Sequence, residues 1–106
     1  MLERDIEKHL VNKVASLGGK AYKFSSPSNR SVPDRLCCLP YGIKKFVECK
    51  ATGKKPTPLQ AKVIKYLRNL DHEVFVVDSR EKVDILIYNW REELNDIKRW
   101  GLWFIC

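Results

Sequence analysis

The chain has 106 residues, enough for one compact domain and short for two. Hydrophobic residues make up 44 % and charged residues 31 %, which excludes a disordered or fibrous chain and fits a globular protein with a modest core. Lys and Arg number 20 against 13 Asp and Glu, a net charge of +7 that favours a polyanionic partner such as nucleic acid; a basic surface serving only solubility is the alternative.

No apolar run reaches the length of a membrane span, so no membrane association is expected. The N-terminal run Met1-Leu2-Glu3-Arg4-Asp5 is charged from the start, unlike a signal peptide, and the expected location is the cytoplasm. Cys37, Cys38, Cys49 and Cys106 contain no C-x-x-C pair and have no histidine nearby to complete a zinc set. They read as reduced, mostly buried small apolar residues. His9 and His72 are isolated, which argues against a histidine-based site.

Leu2, Ile6, Leu10, Val14 and Leu17 recur at helical spacing, which predicts an amphipathic helix over residues 2 to 16. Gly18-Gly19 ends it. Ala21 to Phe24 is a short strand, and Ser25 to Ser31 a polar loop. Asp34 to Leu39 and Ile43 to Lys50 form an antiparallel hairpin around the turn Pro40-Tyr41-Gly42. After a loop from Ala51, Thr57 caps a helix that starts at Pro58 and runs to Asn69. Glu73 to Val77 is a buried strand. Ser79 caps a last helix in which Val83, Leu86, Ile87, Trp90, Leu94 and Ile97 keep helical spacing. The apolar tail, Trp100 to Cys106, must pack on its own core or on a partner chain. The order αβββαβα predicts an α/β fold, a mixed sheet with helices on its faces.

Chemistry concentrates on the hairpin. Alternation along the second hairpin strand places Phe46, Glu48 and Lys50 on one face and Val47 and Cys49 on the other. With a three-residue turn, Leu39 pairs with Ile43 and Asp34 falls opposite Glu48. Directly paired residues have Cβ atoms roughly 4.5–5.5 Å apart, so the two carboxylates repel unless a cation neutralises them. Mg²⁺ suits such a pair, with the backbone carbonyl of Cys49 as a further oxygen ligand. Lys50 on the same face can hold a water or stabilise charge building on a phosphate. The bland reading makes Asp34 a turn residue and Glu48–Lys50 a solvated strand face.

The run Val32-Pro33-Asp34-Arg35, then Val47-Glu48-Cys49-Lys50, then Gly53-Lys54-Lys55-Pro56-Thr57-Pro58-Leu59-Gln60 closely resembles the VRR-NUC family of the PD-(D/E)XK nuclease superfamily. The resemblance covers roughly residues 2 to 80, with the last helix and tail, about 80 to 106, appended to one nuclease domain. It implies a restriction-endonuclease-like fold, dependence on Mg²⁺ or Mn²⁺, and kinship with small virus or phage proteins that act on branched DNA in the host cytoplasm. It makes Asp34 and Glu48 the metal ligands and Lys50 the catalytic lysine. It also implies an acidic residue on the first helix, where Glu7 is favoured and Glu3 is the alternative. Gln60 matches the family's glutamine and also completes a capping box with Thr57. Cys49, between Glu48 and Lys50, departs from the aliphatic residue expected there, and nothing in the pattern accounts for the apolar tail.

Lys20, Lys23, Arg30, Arg35, Lys44, Lys45, Lys54 and Lys55 are candidate phosphate contacts around this site. The resulting expectation is a metal-dependent endonuclease without a small-molecule cofactor, acting on branched DNA such as four-way (Holliday) junctions in replication, recombination or repair. A homodimer through the tail would supply two sites to a two-fold symmetric junction. A non-catalytic basic binding module, or a subunit of a replication or repair assembly, remain as other classes.

Overall fold

A computed structural model describes the backbone of residues 1–105 and the side chains of residues 1–101. Its first helix, α1 (Glu3–Ser16), buries Ile6, Leu10 and Val14 along a single stripe. Its end is a Schellman motif: Gly19 N donates to Val14 O at 3.1 Å and Gly18 N to Ala15 O at 3.0 Å. Gly18 has φ +82°, and a Cβ on Gly19 would lie 2.5 Å from Cys38 O. Both glycines are therefore required, one by the turn and one by the close approach of the helix end to the sheet.

Four strands follow, β1 (Lys20–Lys23), β2 (Arg35–Cys38), β3 (Lys44–Cys49) and β4 (Val74–Val77), lying in the order β1-β2-β3-β4. The first two pairings are antiparallel, and β3 pairs with β4 in parallel. The parallel step requires a crossover, which α2 (Pro58–Asn69) provides. The mixed sheet with flanking helices is the expected α/β fold. The β2–β3 register is also as expected: Leu39 N donates to Ile43 O at 2.8 Å, and Arg35 pairs with Val47. The turn itself is a single 3₁₀ turn, Pro40–Gly42, with Tyr41 at φ 65°.

The last helix, α3 (Arg80–Ile105), is longer than its sequence periodicity indicates, because it continues through Gly101 into the apolar tail. Ser79 Oγ caps it by accepting from Lys82 N at 3.1 Å. Helix α1 packs beside α3, and together they cover one face of the sheet. There Val83, Ile87, Trp90 and Leu94 close over Cys37, Val47, Cys49 and Val77. His9 Nε2 and Asp84 Oδ1, 2.7 Å apart, tie the two helices at their edge. In the tail, Trp100 is 61 % exposed. The side chains of Leu102 to Cys106, on which the expected packing of the tail mostly rests, lie outside the described residues.

Lys45 is a correction to the sequence reading. It is not a phosphate contact: it is buried on the helix-covered face and paired with Glu73 and Glu93. Its place in β3 gives it the same parity as Val47 and Cys49, and so the same face. Because Glu73 and Glu93 are themselves partly exposed, they can be resolvated when the lysine is removed. Lys45→Met, which keeps the stem and drops the charge, is expected to leave stability unchanged or raised. Lys45→Ala is expected to lower it by about 2 kcal/mol or more through the cavity left under α3. Urea unfolding of the two variants measures both.

Candidate active site

Asp34 lies one residue before β2, and Lys50 one residue after β3. The ladder continues past the strand end, since Phe24 N donates to Asp34 O at 2.7 Å, and the β2–β3 register sets Asp34 opposite Glu48. Asp34 Oδ2 accepts from Cys49 N at 2.9 Å, so the hairpin backbone orients the Asp34 carboxylate beside Glu48. On the other side of β3, Lys50 N donates to Val77 O at 2.9 Å. The backbone around Glu48, Cys49 and Lys50 is thus held from both neighbouring strands.

Glu48 is 1 % exposed, and neither of its carboxylate oxygens has a hydrogen-bond partner. Burial, first, and the adjacent Asp34, second, push its pKa well above the ordinary carboxylate range, while Lys50 pulls in the opposite direction. With both acids ionised there is no proton between them. With Glu48 protonated, the two can share one. A buried anion without a donor is costly, and the two ways to relieve it are a proton or a bound cation. The pair therefore fits a divalent ion. Among the described residues no three His, Cys, Asp or Glu side chains converge as a ready-made ligand set. A cation here would rest on the two carboxylates and complete its shell with backbone, water or substrate oxygens, as Mg²⁺ commonly does.

The two helix carboxylates have different surroundings. Glu7, the favoured residue on sequence grounds, accepts from Arg35 Nε at 2.7 Å. Glu3 instead sits in the field of the pair: its pKa is raised by burial and then by Asp34, and lowered by Lys50. One helical turn separates the two glutamates, and Arg35, on the helix-covered side of β2, reaches the inner one. Arg35 is itself a correction. Its guanidinium also donates to Ala21 O at 3.1 Å and is mostly buried, so it braces α1 to the sheet and does not await a phosphate.

Against known proteins, no family model matches the chain. It is 55 % identical over 84 residues to a protein named "Putative nuclease p44" from Acyrthosiphon pisum secondary endosymbiont phage 1, covering 79 % of this chain and 90 % of that protein. A solved structure described as a VRR_NUC domain matches with a TM-score of 0.77 at 36 % identity, covering 81 % of this chain and 94 % of that one. The chain belongs to the VRR-NUC family.

In this VRR-NUC chain Gln60 holds the capping box. Its amide oxygen accepts from Thr57 N at 2.9 Å, and its own N donates to Thr57 Oγ1 at 3.2 Å. No hydrogen bond or ion pair links it to Asp34, Glu48 or Lys50 among the described residues. Lys20, Lys23, Arg30, Lys44, Lys54 and Lys55 are all exposed. Lys54 and Lys55 ride on a loop pinned by Thr52 N to Met1 O at 3.2 Å and Gly53 N to Asp78 Oδ2 at 3.1 Å.

The raised Glu48 pKa sets a pH dependence for the metal-free protein. A carboxyl whose folded pKa exceeds its unfolded value binds its proton more tightly when folded. That contribution is complete below the ordinary value of 4.5 and is lost as pH rises through neutrality toward the folded pKa. In EDTA, wild-type Tm is expected to fall between pH 5 and pH 8, and Glu48→Gln to flatten that slope and melt higher at pH 8. Differential scanning calorimetry across this range tests it; parallel slopes for the two proteins would refute the assignment.

Proposed function

We propose that this VRR-NUC protein is a structure-selective DNA endonuclease that hydrolyses phosphodiester bonds with Mg²⁺ or Mn²⁺ held by Asp34, Glu48 and the Cys49 carbonyl. The carrying observation is the buried Glu48 carboxylate, without a hydrogen-bond partner and opposite Asp34. The names of the phage relative and of the matching structure support a nuclease reading.

A divalent ion in this position supplies Lewis acidity and a more acidic bound water. The chain's own residues do the rest. Cys49 N keeps the Asp34 carboxylate in place opposite Glu48. Lys50, half-buried at the end of β3, donates to the attacking water or to a phosphate oxygen and stabilises the developing negative charge. Glu3, exposed at the start of α1, adds negative charge at the rim and is the helix acid nearer in its electrostatics to the pair. The exposed lysines and Arg30 hold neighbouring phosphates by charge. Branched DNA, four-way junctions included, is the proposed substrate, cut by a homodimer associated through the end of α3, where Trp100 is exposed. The host cytoplasm is the proposed setting, in keeping with a phage-borne relative.

Cleavage of a branched DNA panel is expected only with Mg²⁺ or Mn²⁺ and to stop in EDTA. Asp34→Ala and Glu48→Ala are expected to abolish it while remaining folded. Lys50→Ala is expected to lose on the order of 10²-fold or more in rate yet keep its metal affinity in calorimetry, because an ammonium is not a ligand. Binding without cleavage in every metal would instead make the protein a non-catalytic DNA-binding module.

Oligomeric state is a separate test. Light scattering is expected to show a dimer for the full chain and a monomer for a chain ending at Arg99. A full-length monomer that still cuts junctions at full rate would overturn the dimer.

A further inference from the structure

The sheet face that carries Asp34 and Glu48 also carries aromatic rings that remain partly exposed. Register places side chains in rows across the strands. Tyr22 pairs with Leu36, and Leu36 with Phe46. One row away, Phe24 lies beside Asp34, which lies opposite Glu48. The ring centroids of Phe24 and Phe46 are 5.6 Å apart, and those of Phe46 and His72 are 5.8 Å apart. Tyr22 is 50 % exposed, and Phe24 and Phe46 are half-buried. None of the three belongs to the core cluster under α1 and α3; Phe46 pairs with the buried Val74, and α2 packs on β4 at the opposite edge of the sheet from Tyr22 and Phe24.

Charge accompanies these rings. Lys20 and Lys44 both pair with Cys38, one from each side, and both are exposed. Their row stands four residues from the acid row, roughly 13 Å along the strands. The Lys20 ammonium lies 5.0 Å from the Tyr22 ring centroid, so ring and cation form one surface. The face thus runs from paired acids, through partly exposed rings, to paired lysines.

We propose that this face is a binding track for an unpaired DNA strand, whose bases stack on Phe24, Phe46 and Tyr22 while Lys20 and Lys44 neutralise its phosphates. The inference rests on the nuclease reading and names its substrate more narrowly. Stacking on protein rings is open to every base through its π-face, and it is denied to a base already stacked within a duplex. A strand held this way is led directly to Asp34 and Glu48, because Phe24 shares their row. Selectivity for branched DNA then follows from the unpaired nucleotides at the branch and needs no readout of base edges.

The test uses the full chain carrying Glu48→Gln, so that bound DNA is not cut. Fluorescence anisotropy compares a single-stranded oligonucleotide with the duplex of the same sequence, for this background and with Tyr22→Ser or Phe24→Leu added. Tyr22 is half exposed, so its replacement leaves the fold intact, and Phe24→Leu keeps apolar volume while removing the ring. Each ring variant is expected to weaken single-strand binding on the order of tenfold and duplex binding less than twofold. Lys44→Ala is expected to weaken both. Equal effects on the two DNAs, or none, would overturn the track. Ring-dependent single-strand binding by a wild-type chain that cleaves nothing in Mg²⁺ or Mn²⁺ would uphold the track and refute the nuclease reading beneath it.

Discussion

A carboxylate that is 1 % exposed and has no hydrogen-bond donor cannot stay ionised and uncompensated, and the architecture of this VRR-NUC chain is arranged around that constraint at Glu48. The hairpin sets Asp34 opposite it, and Cys49 N turns Asp34 toward it. The parallel strand β4 closes the other side of β3. The result is a buried acidic pair at the strand ends, in which one charge must be neutralised by a proton or a cation. Stability that a protein gives up at such a position is commonly tied to function.

The lysines and arginines of the hairpin show how one basic composition serves two ends. Strand parity sends Lys45 and Arg35 to the helix-covered face, where Lys45 pairs with Glu93 of α3 and with Glu73 just before β4, and Arg35 pairs with Glu7 of α1. The same parity sends Lys44 to the open face with Glu48. Net charge alone therefore overstates the surface available to a polyanion. Of the positive side chains that remain exposed, Lys54 and Lys55 follow Lys50 in the next loop, whereas Lys20 and Lys44 stand in a row four residues from the acid pair.

The two faces of the sheet also differ in how they are covered. Helices α1 and α3 gather the apolar core on one side. The opposite side is covered by α2 toward β4, leaving Tyr22 half exposed beside the site. The sheet thus has one sealed face and one partly open face, and the acid pair belongs to the partly open one. In the loop Ala51 to Thr57, Asp78, just past β4, holds Gly53 N while Lys54 and Lys55 are exposed.

Local patterns were enough to determine the element order, the α1 stop at Gly18-Gly19, the capping box of α2 and the opposition of Asp34 to Glu48. Each depends on residues close in sequence: a helical stripe, a cap or the counting of a three-residue turn. Strand parity in the same sequence also carries the burial of Lys45 and Arg35, but their charge masks it, since a buried cation is read correctly only once its partner is known. Those partners are far away in the chain: Glu93 is 48 residues from Lys45, and Glu7 is 28 from Arg35. Only the tertiary structure shows that Glu7 is paired with Arg35, because that contact depends on where β2 meets α1. It alone also joins Phe24, Phe46 and His72 into one ladder, since ring contacts between β1, β3 and the turn after α2 exist only when the sheet has closed.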